Sequence, residues 1–265
     1  MNLFLRELRA YRKSMLTWVG SLAGLVVVFM AMYPAFSKDV DALESVLTNF
    51  PEAVRTALNL EIGTFLSVLG FYSYLLSFAI LAAAIQAMNL GAGVISKESA
   101  GKTVDFLLSK PVTRTQVVTA KLAAALLVIA VTNVVFIAVS LVAMQATAET
   151  YDMGTLLLLA STMFLVQMAF LALGMLFSVT IPKIKSVVAV SLPTVFAFYI
   201  IGVIGDVVGT EEARYVSPFR YYNPNYILKN GSLESKFLII EAAFVVVAIA
   251  ATYMIYRKKD IRAAI

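Results

Sequence analysis

The sequence predicts an all-α membrane protein with six transmembrane helices, and three observations carry that prediction. Apolar residues make up 61% of the 265 residues and charged ones 14%, against roughly 45–50% and 25% in a soluble domain. Six stretches, 14–37, 62–96, 122–148, 153–182, 186–205 and 242–256, contain no Lys, Arg, Asp or Glu. Histidine and cysteine are absent, which removes imidazole acid–base chemistry, thiol nucleophiles, disulfides and His/Cys metal sites together. A hydrocarbon core of about 30 Å takes about 20 helical residues, and one mid-span charge costs about 2.5–3.5 kcal/mol. Stretches this long and clean read as spans rather than as core helices of a soluble protein.

Residues 1–15 read as an amphipathic interfacial helix, with Phe4, Leu8, Tyr11 and Met15 on one stripe and Arg6, Arg9 and Lys13 away from it. The basic side suits anionic headgroups of the inner leaflet. The first span follows at about 16–36, its apolar run too long and too aromatic for a signal-peptide core. Gly20 and Gly24 within it give a GxxxG spacing that permits close helix approach, although the pattern recurs by chance in chains rich in Gly and Ala. The next segment, 37–61, is an acidic loop with Val40, Leu43 and Leu47, then Phe50, Val54 and Leu58, at helical spacing. Pro51 suits a first helical position and Glu52 the positive end of that helix's dipole, so two short interfacial helices are expected there.

The run 62–96 exceeds one span and falls short of two spans plus a turn. It reads as one long helix, spanning at about 64–92, with its excess at Gly91-Ala92-Gly93, where the chain leaves the bilayer towards Lys97. Thr113 followed three residues on by Gln116 is a capping-box pattern, so the helix of the third span, at about 118–145, is expected to begin near Arg114. The fourth and fifth spans lie at about 154–180 and 186–205. Residues 206–235, rich in Tyr, Pro, Asn and Gly, fit an aromatic belt with short broken helices at headgroup level. The sixth span is about 237–256, and residues 1–265 make a single transmembrane domain.

Six spans put both termini on one side. Fifteen of the 21 Lys and Arg fall in 1–13, 97–121, 183–185 and 257–262, while eleven of the 16 acidic residues fall in the other three loops. By the positive-inside rule, the termini and the 97–121 loop are cytoplasmic. A nucleic-acid surface would not alternate with apolar spans in this way, and none is expected.

Polar groups within the spans are few. Glu241 lies one turn inside the sixth span at the outer end, where a carboxylate can reach water. Asn133 and Gln167 lie deeper, on helices otherwise apolar nearby. Amides at such depth usually hydrogen-bond a neighbouring helix and sometimes line a substrate path, so these three residues are the possible translocation-path set. The scarcity of intramembrane charge argues against a proton pump or a voltage sensor.

The inner loop from Val94 to Lys121 carries the most pattern. Val104, Leu107 and Leu108 fall on one side of a short helix whose other positions include Lys102, Asp105 and Ser109. Such a face needs the leaflet, the protein's own helix ends or a cytosolic partner to cover it. Gly101-Lys102-Thr103 has the ending of a phosphate-binding loop, but Ser96 stands where that pattern requires glycine and no strand precedes it. No nucleotide is expected on this chain. Glu211-Glu212-Ala213-Arg214 has the look of a CAAX-protease glutamate pair, but the spacing to Arg is two residues short and the required His residues are missing.

Glu98, Gly101-Lys102-Thr103, Phe106-Leu107-Leu108-Ser109 and Pro111-Val112-Thr113-Arg114 together resemble the coupling-helix stretch of the permease subunits of ABC-2 type ATP-driven transporters. The basic N-terminus is similar to that family's connecting helix. Ser217-Pro218-Phe219-Arg220-Tyr221 is similar to the segment before its last span, and Tyr256 to Asp260 to its basic ending. The resemblance covers nearly the whole chain. It implies a non-catalytic exporter subunit in a prokaryotic cell membrane, working as two permease protomers, identical or paired with a sister chain. Separate ABC ATPase subunits would hold ATP and Mg, with no cofactor or metal on this chain. It further implies an ATPase contact within 94–117, with Glu98 and Asp105 as polar or ionic contacts and Phe106, Leu107 and Leu108 as the packing surface. Gly101, Thr103 and Pro111 belong to the same motif, and Arg114 would be a lock at the start of the third span. The alternative is a self-contained secondary transporter or channel, which calls for coupling carboxylates or broken helices in paired mid-membrane positions; the sequence lacks both.

Overall fold

The computed structural model describes residues 3–38, 45, 46, 48–57, 65–100, 113–148, 150–182 and 184–258, with the backbone alone at 57 and 97–100. Six of its helices are long and apolar enough to cross a membrane: α1 (Leu3–Phe36), α3 (Val68–Ala100), α4 (Arg114–Thr147), α5 (Met153–Thr180), α6 (Val187–Val208) and α9 (Ser235–Lys258). Short helices occupy the connections, as α2 (Glu52–Ala57), α7 (Glu212–Val216), a 3-10 turn at Pro218–Arg220 and α8 (Pro224–Asn230). Among the described residues there is no strand, so the protein is an all-α membrane protein with a span for each charge-free stretch.

Local chemistry fixes the helix ends. The Thr113 hydroxyl accepts the Gln116 amide at 3.2 Å, while Gln116 Oε1 accepts the Thr113 amide at 2.9 Å, so α4 begins at Arg114 with two otherwise orphaned donors satisfied. Asp152 caps α5, its Oδ2 taking the Thr155 hydroxyl at 2.5 Å and the Thr155 amide at 2.8 Å. Those two bonds, the hydroxyl's first, hold the Asp152 carboxyl below the usual carboxylate range. Gly209 ends α6 at φ +76° and Gly231 ends α8 at φ +60°, a left-handed conformation in which a side chain would be strained.

One boundary differs from expectation. The amphipathic N-terminus is not set apart from the first span. With neither Pro nor Gly between Lys13 and Trp18 to interrupt it, α1 runs on as one helix of 34 residues, about 51 Å long. Its stripe is as expected: Phe4, Leu8, Tyr11 and Met15 pack inwards, and Arg6, Arg9 and Lys13 are exposed. α3 passes through Gly91-Ala92-Gly93, buried, and continues to Ala100. Of the two short helices expected in 37–61, the second is α2, which follows Pro51; most of the first lies outside the described residues.

α3 and α5 form the centre and share the most extensive contact of any two elements. Glycine permits it. A Cβ on Gly91 would lie 2.3 Å from the Leu171 carbonyl oxygen, and one on Gly174 would lie 2.7 Å from both Met88 O and Ala92 N. In lipid, where no water is expelled between helices, association rests on such close packing and on hydrogen bonds. α1 lies along α4 and buries Leu22, Val26 and Met30; α9 packs chiefly on α5, and α6 on α3. Near one end of α1, Tyr33 and Phe36 meet Phe71 of α3 with ring centroids 5.5 and 5.4 Å apart.

Gly174→Ala sets a methyl against helix backbone that can yield only if α3 and α5 separate. Its expected cost is about 1–3 kcal/mol, the range for overpacking, read as a lowered unfolding midpoint in detergent. Gly20→Ala, where a Cβ meets nothing within 4 Å, is expected to leave the midpoint unchanged. Equal midpoints for the two variants would contradict the close contact.

Candidate functional site

The loop that carries the family resemblance enters from α3 and leaves into α4. Glu98 lies in the last turn of α3, where the backbone alone is described; Gly101, Thr103, Asp105, Phe106, Leu107, Leu108 and Pro111 lie outside the described residues. Arg114, the first residue of α4, donates from Nη1 to the Tyr256 carbonyl oxygen at 3.3 Å. One turn on, the hydroxyls of Thr119 and Tyr253 meet at 2.9 Å. Lys121 Nζ lies 3.5 Å from Glu7 Oε1, with the lysine side chain 2% exposed and the glutamate 15%. The opening turns of α4 are thus tied both to α9 and to α1. Breaking a buried ion pair from one side costs about 3–5 kcal/mol, so the contact with Glu7 is a strong constraint on where α1 sits.

A second group lies within the bundle. Asn133 Nδ2 donates to Gln167 Oε1 at 2.6 Å and to the Ile129 carbonyl at 2.9 Å. Gln167 Nε2 donates to Gln86 Oε1 at 3.0 Å, Gln86 Nε2 to the Thr132 hydroxyl at 3.1 Å, and that hydroxyl to the Val128 carbonyl at 2.8 Å. All four side chains are buried. The amides alternate donor and acceptor around α3, α4 and α5, joining the three helices by side chains. Asn133 and Gln167 therefore come together as a pair, in the interior of the bundle. Gln86 and Thr132 were not among the expected residues. Gln86 is a deep amide in a charge-free run as Gln167 is in its own, so the same criterion picks it out, together with Asn89 three residues on.

The third group closes over Glu241. Its carboxylate does not reach water as expected: the residue is 3% exposed, and the Tyr222 hydroxyl donates to Oε2 at 2.5 Å. The physical reason is the turn before α8, which lays Tyr221 on Phe237 with the rings stacked at 5.5 Å and so carries Tyr222 over the carboxylate. Burial pushes the Tyr222 hydroxyl up, and the nearby Glu241 charge adds to the shift, so the phenol stays protonated and donates. Two further ion pairs flank this group, Arg220 with Asp206 at 2.6 Å and Arg214 with Glu234 at 2.5 Å. The Arg214 guanidinium also lies 4.4 Å from the Phe237 ring centroid.

Between α1 and α4 runs an apolar crevice of about 530 Å³, with Val27, Met30, Val139 and Val142 among its walls and Thr147 at one end. The Thr147 hydroxyl bonds the Ala143 carbonyl at 2.8 Å, so the crevice offers packing and no charge. Among the described residues no three carboxylates gather to hold a metal ion.

The family model described as ABC-2 family transporter protein matches residues 1–261. No curated protein matches the chain significantly.

Gln167→Leu removes the centre of the amide network and leaves Gln86 Oε1 without its donor. Interhelical side-chain hydrogen bonds in membranes average about 0.6 kcal/mol and reach about 1.7. With more than one lost, the expected destabilisation is about 1–2 kcal/mol, measured by unfolding in detergent. An unchanged midpoint would show that the network does not hold the helices.

Proposed function

The chain belongs to the ABC-2 transporter family, and on that premise we propose that it is the permease subunit of an ATP-driven exporter, powered by separate ATPase chains docked on its 94–117 segment. Family and spans together make it a multi-pass membrane transport component. ATP and Mg belong to the partner; this chain supplies the path and the handle. Two protomers, identical or paired with a sister chain, complete the path in a prokaryotic cell membrane with both termini in the cytoplasm.

The observation that carries this reading is the way the segment is held. α3 stays helical to Ala100 and α4 starts on a complete capping box at Thr113, so the intervening residues run between two defined helix ends. Energy passes between chains only through a contact that has two arrangements, and a contact made between two defined helix ends would act on α3 and α4 together. Glu98 and Asp105 make polar or ionic contacts to the ATPase, Phe106, Leu107 and Leu108 pack on it, and Gly101, Thr103 and Pro111 belong to the same contact. Arg114 locks the start of α4, a role supported by its bond to the Tyr256 carbonyl. Asn133 and Gln167 serve chiefly to join helices, since they bond each other and Gln86; for either to line the path, that network would have to open. Glu241 is likewise held by Tyr222.

Leu107→Ala truncates a central apolar anchor and is expected to weaken retention of the ATPase chain by about 1–3 kcal/mol, as at other interface hot spots, read by quantitative co-purification from membranes. Full retention would count against the docking surface, and transport by this chain alone in liposomes without ATP would overturn the reading outright.

Orientation is open to labelling, because a chain without cysteine gives a clean background. Ser99→Cys is expected to react with an impermeant reagent only from the cytoplasmic side, and Thr150→Cys only from outside. The reverse pattern would invert the topology.

A further inference from the structure

We infer that Glu7 and Lys121 are positioning residues that fasten α1 to α4, so that the two helices move as one body when the 101–112 segment is displaced. The fastening stands on geometry alone; its consequence for energy transfer rests on the docking reading above.

Lys121 is the last charge before the apolar run 122–148. A lysine at that position ordinarily extends its stem and keeps its ammonium in water. Here the side chain is 2% exposed and the ammonium turns inwards to Glu7, 3.5 Å away. Glu7 is the only acidic residue before Asp39. It lies on the packed side of α1, one turn from the buried Tyr11, while its neighbours Arg6 and Arg9 are exposed. The N-terminal turns therefore sort their charges, with the cations outwards and the one acid against α4.

Beyond Lys121 the same seam continues through Leu22, Val26 and Met30 of α1, and α4 is the principal neighbour of α1. The ion pair extends that seam into the turns nearest the segment, where α4 is also tied to α9 by Arg114 and Thr119. A displacement entering α4 at its first residue thus has a stiff route into α1.

The test uses the full chain assembled with its ATPase in lipid nanodiscs, with spin labels at the exposed positions Leu5→Cys and Ala123→Cys. In the otherwise native chain the inter-label distance is expected to be narrowly distributed and the same without nucleotide and with trapped ATP. Lys121→Met is expected to broaden the distribution, make it depend on nucleotide and lower the ATPase rate of the complex; Lys121→Arg restores all three. A purely structural role would lower yield without creating nucleotide dependence. Glu7→Gln gives the same signature more weakly and serves if Lys121→Met does not assemble. A distance that shifts with ATP in the native chain, or stays narrow in both substituted chains, would overturn the inference. Failure of the native chain to retain an ATPase would overturn the docking reading alone, since broadening without nucleotide still decides the fastening.

Discussion

The contact between α3 and α5 at Gly91 and Gly174 is the constraint from which the rest of the bundle follows. Two helix backbones can approach this closely only where neither carries a Cβ at the crossing. That crossing sets the depth at which Gln86 of α3 meets Gln167 of α5, and hence where Asn133 and Thr132 of α4 must sit to complete the amide network. It also fixes the line along which α3 leaves the bundle. The 101–112 segment, the proposed ATPase contact, follows α3 in the chain.

Around this centre the remaining spans are held more lightly. α3 and α5 bury half or more of their most apolar stretches within the chain, whereas α1, α6 and α9 bury only 17% of theirs. In lipid, an uncovered apolar face is no liability, and peripheral helices free to shift against a fixed core suit a transport component that alternates between states. What holds them is specific and placed at their ends. Glu7 and Lys121 bind α1 to α4, Arg114 and Thr119 bind α4 to α9, and Tyr222, Arg214 and Arg220 close the turns between α6 and α9.

The parts of the fold that were legible in the sequence are those decided within a few residues. A missing charge over twenty positions, a Thr three residues before a Gln, and a Pro before an acidic helix start each act locally, and all appear where expected. Partners far apart in the chain left no such mark. Gly20 and Gly24 carry the recognisable spacing yet meet no other part of this chain, while the close contact within it is made by Gly91 and Gly174, one from each of two helices. Glu7 and Lys121 are similarly invisible as a pair, since each reads alone as one more juxtamembrane charge. Glu241 looked solvent-accessible because depth along a helix says nothing of the loop that folds back over it. The continuity of α1 is the opposite case: a change from amphipathic to wholly apolar pattern marks a change of surroundings, and without Pro or Gly it does not break the helix.

We propose a passive helical gate driven by a nucleotide-hydrolysing partner seated on the stretch around Phe106. It is tested most directly by replacing Phe106 with a photoreactive benzoylphenylalanine in native membranes, irradiating, and identifying what is covalently captured. A protein adduct is expected, with a partner peptide from a chain that has a phosphate-binding Walker loop. Capture of lipid alone, or of this chain's own helices alone, would contradict it.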